Sequence, residues 1–185
     1  FHVYTDGGTT EDGWFIDDLQ VTEHAPVAIT LPFYERFEDG LTNWLHASWA
    51  VDTNQPYEGR WAVRDTPGGR MAPDTQHWLV LGGPLGLTNG VNPQVTFWVR
   101  GQLWWRSYFR LHYSTDGGLN WNELPGANIN HDWNSGWTRL QVSLAAWVGQ
   151  TLRLRFHVSD NYAAPDTDVF VDNVTIAEMP TAVTL

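Results

Sequence analysis

Hydrophobic and polar residues alternate with a period of two along much of the chain, and this pattern predicts strands that bury one face. The alternation is clearest over residues 138–144 and 152–158, where Leu, Val and Phe alternate with Arg, Gln, Ser and His. Similar runs cover residues 94–100, 108–113 and 169–176, and no stretch has the period of a helix. Many short strands predict an all-β fold, either an antiparallel β-sandwich or a barrel.

Two groups of turn residues separate these runs, Asp116-Gly117-Gly118 and Asn134-Ser135-Gly136, and both are predicted to be turns. The stretch from Ser114 to Trp121 also matches the Asp-box pattern, in which Ser, Asp, Gly and Trp stabilise a hairpin. The expected role of this stretch is structural, because a single Asp box does not supply the scaffold of a sialidase.

An internal repeat suggests how the chain is organised. Residues 156–185 resemble residues 1–31, since both begin Phe-His-Val, pass through an acidic or Gly-rich loop, and end with Glu, Pro and a short apolar run. The offset of about 155 residues corresponds to one repeat unit. The predicted parts are the closing strands of a preceding module (1–24), a linker interrupted by prolines (25–32), one complete module (33–179) and the start of the next linker (180–185).

Composition and charge narrow the possible partners. The chain contains 12 Trp, which fits binding or assembly, and its net charge of −11 disfavours nucleic acid and anionic membrane surfaces. No apolar run approaches the length of a membrane span, and the chain has no Cys. No His-Glu-x-x-His, Gly-x-Ser-x-Gly or phosphate-loop motif is present, so we expect a protein that is not an enzyme.

Several stretches in order carry a resemblance to a known family. They are Phe37-Glu38-Asp39-Gly40 with Trp44, residues 113–121, residues 136–156 and residues 170–174, and residues 13–19 repeat the last of these. They resemble the jelly-roll domains related to MAM domains, found in bacterial secreted proteins and behind immune-inhibitor-type metallopeptidases. The resemblance implies an antiparallel, jelly-roll-like β-sandwich that is extracellular or on the cell surface, non-catalytic, often repeated and frequently calcium-bound. Animal MAM domains usually carry cysteines, and this chain has none. The difference concerns the subfamily to which the domain is compared and not its architecture.

The resemblance suggests a calcium site where the first and last strands meet. There Glu38 and Asp39 would share a hard cation with Asp172, because carboxylate oxygens suit Ca²⁺. Alternatively, Glu38 and Asp39 end a strand in water, while Asp172 accepts backbone hydrogen bonds or pairs with an arginine such as Arg64.

Other acidic residues are weaker candidates for metal ligands. Asp65 is a possible further ligand of the first site, and Asp166 and Asp168 form a second possible metal loop. A solvated turn is the simpler interpretation of this loop.

Aromatic and polar side chains around residues 104–157 suggest a sugar-binding or partner-binding face. Aromatic planes next to polar groups are what sugar recognition requires, although Trp rings and Arg stems also cover apolar surface and anchor protein interfaces. The predicted face comprises Trp104, Trp105, Tyr108, Arg110, His112, Arg153, Arg155 and His157.

The apolar residues of the first 24 positions lead to the main functional prediction. Such strands are unable to bury their apolar side chains alone, so they pair within a longer chain or with a neighbouring subunit. The leading hypothesis is a structural subunit of an extracellular fibre or surface array, joined head to tail and stabilised by calcium. The alternatives are a carbohydrate-binding module and an accessory domain of a secreted metallopeptidase. The residues predicted to join modules are Phe1, Val3, Trp14, Phe15, Ile16, Leu19 and Val21.

Overall fold

The computed structural model describes residues 26–69, 71–72, 74–87, 91–130, 133–160 and 168–179. Within them the protein is a sandwich of two antiparallel β-sheets, as the sequence predicts. The strands in chain order are β1 (Phe33–Glu35), β2 (Trp44–His46), β3 (Ala50–Asp52), β4 (Ala62–Arg64), β5 (Thr75–Leu81), β6 (Leu85–Gly86), β7 (Pro93–Leu103), β8 (Ser107–Ser114), β9 (Asn122–Glu123), β10 (Trp133–Ser143), β11 (Thr151–Asp160) and β12 (Asp168–Glu178).

The first sheet has the strand order β10-β7-β12-β4-β3, and β1 also pairs with β12. Phe33 of β1 lies opposite Ile176 of β12, so the first and last strands of the module are neighbours, as the resemblance implies. The second sheet has the order β2-β5-β11-β8-β9, with β6 continuing beside β11. Strands that are distant in sequence therefore lie side by side in both sheets.

Aromatic rings from both sheets fill the space between them. The centroids of Phe97 and Phe156 are 4.9 Å apart, and those of Phe109 and Phe156 are 5.8 Å apart. Trp44 stacks on Phe156 at 5.7 Å. Burying one such side chain stabilises the fold by about 1.5–3 kcal/mol. The inward side chains of the long strands β7, β8 and β11 therefore form the core, and the side chains between them lie on the outer faces.

The structure corrects one predicted turn and shows a contact made by the predicted linker. The predicted turn around Ser135 is wrong, because these residues lie inside β10 and form an irregularity in its pairing with β7 between Ser135 and Thr138. A bulge accommodates Gly and Asn without ending the strand. The predicted linker also contacts the module, because Ile29 donates its backbone N–H to the Pro84 carbonyl at 2.8 Å.

Among the described residues, the only helical element is a 3₁₀ turn at Ala145–Trp147. No helix in this part of the chain has the length and apolar character needed to cross a membrane.

Candidate functional site

The outward side chains of β5, β8 and β11 form one continuous surface on the second sheet. Trp78 of β5 lies opposite His157 of β11, and His157 lies opposite Arg110 of β8. In the next row, Arg155 lies opposite His112. Partners in register on an antiparallel sheet project from the same face. We call the surface made by Trp78, Tyr108, Arg110, His112, Arg155 and His157 the His–Arg face.

Arg155 connects the two tryptophans of this surface. Its guanidinium carbon lies 4.3 Å from the centroid of the Trp121 ring and 5.4 Å from that of Trp78. Its Nε atom donates to Nδ1 of His112 at 3.2 Å. Cation–π contacts and this hydrogen bond together hold Arg155 and both rings in one arrangement.

The two histidines of the His–Arg face are neutral at neutral pH. Burial, with the nearby charge of Arg155, lowers the pKa of His112 to about 4. Burial also lowers the pKa of His157 to about 3, with His112 and Arg155 contributing further. A neutral imidazole has one donor and one acceptor nitrogen, and the acceptor nitrogen of His112 is bound to Arg155. Both ring nitrogens of His157 are buried and have no hydrogen-bond partner among the described residues.

Arg110 serves mainly to build the surface. Its Nη1 atom donates to the carbonyls of Phe109 and Ile129 at 2.9 and 2.8 Å, and its Nε atom lies 3.3 Å from Glu123. The guanidinium carbon lies 4.8 Å from the centroid of the Tyr108 ring. The N–H donors of Arg110 are therefore bound within the protein, and its guanidinium lies against the Tyr108 ring.

A depression of about 300 Å³ opens on the His–Arg face. Its lining combines an aromatic ring, two neutral imidazoles, a carboxylate and a hydroxyl group in one concave region. Its lining residues are Tyr108, Arg110, His112, Glu123, His157 and Ser159.

The Asp-box stretch positions Trp121 at the edge of this face. The Ser114 hydroxyl accepts from the Gly118 backbone N–H at 2.8 Å, and Asp116 accepts from the backbone and side-chain nitrogens of Asn120 at 2.9 and 2.7 Å. These donors, with the Ser114 hydroxyl, hold the pKa of Asp116 well below its usual range. The structural role predicted for this stretch is confirmed, and the turn places Trp121 beside Arg155.

The structure brings together only part of the predicted sugar face. Tyr108, Arg110, His112, Arg155 and His157 share the outer surface of the second sheet, and Arg153 is at its end, where it donates to the Leu81 carbonyl at 3.1 Å.

Trp104 and Trp105 lie instead in the turn between β7 and β8. The Ser107 backbone N–H closes this turn by donating to the Trp104 carbonyl at 2.9 Å, and Arg106 adopts a φ of 64°. The sequence analysis missed Trp78, although its alternation with Leu79 and Leu81 is a signal that it points outward.

Two of the predicted calcium ligands hold a loop through its backbone. Asp172 accepts from the N–H groups of Tyr57 and Glu58 at 2.9 and 3.1 Å. Glu38 accepts from the N–H groups of Arg60 and Trp61 at 2.8 and 3.1 Å.

Burial raises the pKa of Asp172 to about 6, with a smaller contribution from the nearby charge of Glu38. The alternative foreseen for Asp172, acceptance of backbone hydrogen bonds, describes this geometry.

The remaining predicted ligands lie in other surroundings. Asp39 is exposed, whereas Asp65 is buried and accepts from the Val169 backbone N–H at 2.9 Å. Asp168 pairs with Arg64, and Asp166 lies outside the described residues.

In the described part of the chain, no three His, Asp or Glu side chains form a group that could hold a metal ion. Calcium binding stays a prediction, which thermal unfolding with and without a chelator tests. The predicted assembly residues between Phe1 and Val21 also lie outside the described part.

Several solved structures have a similar fold. The K1 cleaved adhesin domain of Lys-gingipain from Porphyromonas gingivalis W83 is similar, with 18% identity and a TM-score of 0.61 over 82% of this chain and 100% of that domain. TmCBM61, solved with β-1,4-galactotriose, has 18% identity and a TM-score of 0.53 over 78% of this chain and 94% of its own. The CBM22-1 xylan-binding domain of Paenibacillus barcinonensis Xyn10C has 14% identity and a TM-score of 0.52 over 87% of this chain and 100% of its own.

These likenesses show a fold that is shared with adhesin domains and carbohydrate-binding modules. No family model and no curated protein matches the sequence.

Proposed function

We propose that this chain is a non-catalytic carbohydrate-binding module of an extracellular protein, with its sugar site on the His–Arg face. The observation that carries the proposal is the depression between β8 and β11, where two neutral histidines lie beside aromatic rings. Sugar rings present apolar C–H faces and hydroxyl groups, so a suitable site combines aromatic planes with a few oriented polar groups. The His–Arg face has both.

The aromatic part of the site consists of rings at two edges of the surface. Trp78 is 38% exposed, and its ring is stacked with that of His157 at 5.9 Å. Trp121 lies on the other side of Arg155. An exposed tryptophan plane held by neighbours loses little conformational freedom when a sugar ring packs on it.

The polar part of the site matches hydroxyl groups. A sugar hydroxyl both donates and accepts, so it can accept a hydrogen bond from a neutral imidazole N–H group. His112 accepts from Arg155 at Nδ1, so its Nε2 atom carries the proton and is a donor. Glu123 and Ser159 add an acceptor and a hydroxyl to the lining of the depression. These groups orient a neutral oligosaccharide without requiring a charge on the ligand.

The structural neighbours support the choice of ligand class. TmCBM61 was solved with β-1,4-galactotriose, and the Xyn10C domain is described as xylan-binding. Both have the fold found here, so xylan and β-1,4-galactotriose are the first ligands to test.

A binding comparison of two tryptophan variants tests the proposal. We expect the wild-type chain to bind xylohexaose, β-1,4-galactotriose or another member of a neutral oligosaccharide panel in isothermal titration calorimetry. Trp78→Ala removes the stacking plane and is expected to weaken binding at least about tenfold, or about 1.4 kcal/mol. Trp105→Ala, in the β7–β8 turn, is the matched control and is expected to leave binding unchanged. A panel without a single binder, or equal losses in both variants, would contradict the proposal.

The fibre-subunit hypothesis remains a second prediction. It depends on the strands predicted in residues 1–24, which lie outside the described part of the chain. Electron microscopy of the native protein tests it, because head-to-tail pairing predicts filaments, and dispersed particles count against it.

A further inference from the structure

A second cleft, of about 340 Å³, lies on the outer face of the first sheet. It is bounded by β7, β12 and the edge strand β10, so the whole thickness of the sandwich separates it from the His–Arg face. Its lining combines one tryptophan with arginine and amide side chains. The lining residues used below are Arg64, Arg100, Gln102, Asn134, Trp137 and Asp168.

A loop that crosses the sheet forms one wall of this cleft. The Nε1 atom of Trp137 donates to the Gln55 carbonyl at 3.0 Å, and an Nη atom of Arg100 donates to the Asn54 carbonyl. Tyr57 stacks on Trp98 with centroids 3.8 Å apart. The wall is therefore formed before any ligand arrives, which reduces the entropic cost of binding.

The floor of the cleft is built around Arg100. Its guanidinium carbon lies 3.8 Å from the centroid of the Phe170 ring and 5.3 Å from that of Trp137. The adjacent Gly101 has a φ of 148°, and a Cβ atom there would collide with the carbonyl oxygen of Asp168. The glycine lets β12 approach closely, so that Arg100 and Asp168 face the same space.

The two arginines of the cleft have different bonding. Arg64 forms a two-pronged pair with Asp168, with Nε and Nη2 at 2.7 and 3.1 Å from the carboxylate oxygens, and its Nη1 atom lies 3.4 Å from Asp52. Arg64 therefore contacts both carboxylates nearest the cleft and shares its single positive charge between them.

Arg100 has no such partner. It forms no ion pair with a carboxylate in the described part of the chain, and its Nε atom is buried there without a hydrogen-bond partner. A guanidinium without a carboxylate partner keeps its positive charge available to an anionic group that enters the cleft.

We propose that this cleft binds a uronic acid residue of a glycan, with the carboxylate on Arg100 and the sugar ring against Trp137. A carboxylate only accepts hydrogen bonds, so it suits the guanidinium of Arg100, of which one Nη atom is bound to the Asn54 carbonyl. The side-chain amides of Gln102 and Asn134 supply further donors for the ring oxygens. The inference extends the proposed class of ligand to a different face, so each proposal can fail while the other stands.

A matched pair of monosaccharides tests the inference. Methyl β-D-glucuronide and methyl β-D-glucoside differ at the carboxylate, and each is titrated into the full chain while the Trp137 indole N–H signal is followed by NMR. We expect the glucuronide to bind at least about tenfold more tightly than the glucoside, a difference of about 1.4 kcal/mol. Arg100→Gln removes the charge and is expected to abolish this preference, whereas Arg100→Lys retains part of it.

Two further variants make the result decisive. Asn134 is exposed on the edge strand β10, so Asn134→Ala folds and is expected to weaken glucuronide binding two- to threefold even if changes at Arg100 destabilise the protein. Arg155→Gln alters the His–Arg face and is expected to leave glucuronide binding intact. Equal affinities for the two sugars, or a preference that survives Arg100→Gln, would overturn the inference. Loss of neutral-oligosaccharide binding in Trp78→Ala without any change at Trp137 would concern the His–Arg face alone.

Discussion

At the scale of single residues, the neutral pair His112 and His157 is the most unusual feature of the second sheet. Their ring centroids are 4.8 Å apart, and Arg155 lies against the same surface. Protonating either ring would place another positive charge beside this guanidinium and remove an acceptor. The pair therefore adds no charge to the surface, which suits neutral sugars.

The lowered pKa values predict a specific dependence of stability on pH. The folded-state pKa values of about 4 and 3 lie below the value of about 6.5 expected in the unfolded chain. As the pH falls below about 6.5, the unfolded state binds protons first, so the free energy of unfolding decreases until the folded-state pKa values are passed.

A double variant isolates this effect. His112→Gln/His157→Gln is expected to lose less stability between pH 7 and pH 5 than the wild-type chain, by about 1–2 kcal/mol per histidine. Urea unfolding at the two pH values measures the difference, and the exposed His46→Gln serves as the control. An identical pH dependence in wild type and double variant would show that the rings are not held neutral.

At the scale of elements, the turn from Ser114 to Trp121 shows how a local motif contributes to a distant surface. Its hydrogen bonds are all formed within a few residues, and Gly118, with a φ of 102°, packs close to the Trp121 ring. A short self-contained pattern of this kind is readable from the sequence. Its contact with Arg155 of β11 is not, because that contact depends on the pairing of β8 with β11.

Breaking this turn is expected to affect the sugar site. Asp116→Ala removes the acceptor of both Asn120 donors, so Trp121 is expected to leave Arg155, and oligosaccharide affinity is expected to fall about three- to tenfold. Calorimetry with the ligand found for the wild type measures the loss. Asp39→Ala, measured in chelator, provides an exposed aspartate as control. Unchanged affinity in Asp116→Ala would mean that the turn does not support the site.

The same distinction explains which parts of the structure could be predicted. Period-two alternation identified the faces of β8 and β11, and hence His112 and Arg155, because that pattern is local. It did not show that β5 lies beside β11, so Trp78 was missed. It also did not show that the loop through Gln55 crosses the first sheet, so the cleft around Arg100 and Trp137 had no signal in the sequence.

At the scale of the whole molecule, the sandwich carries two outward surfaces of different chemistry. One has neutral histidines and tryptophans, and the other has the Arg100 guanidinium, which forms no ion pair within the described residues, beside an indole ring. The net charge of −11 repels polyanions in general, so an acidic sugar must be recognised by a local cation rather than by the field of the protein. The two proposals together predict that the module holds two glycan segments at once.

The most direct test of the account is to observe which tryptophans report ligand binding. The indole N–H signals of Trp78, Trp121 and Trp105 are assigned by substitution and followed by NMR during titration with the neutral oligosaccharide that binds most tightly. We predict that the signals of Trp78 and Trp121 shift together with one dissociation constant while that of Trp105 stays in place. Shifts confined to Trp105, or a titration in which Trp78 and Trp121 do not move, would contradict the assignment of the sugar site to the His–Arg face.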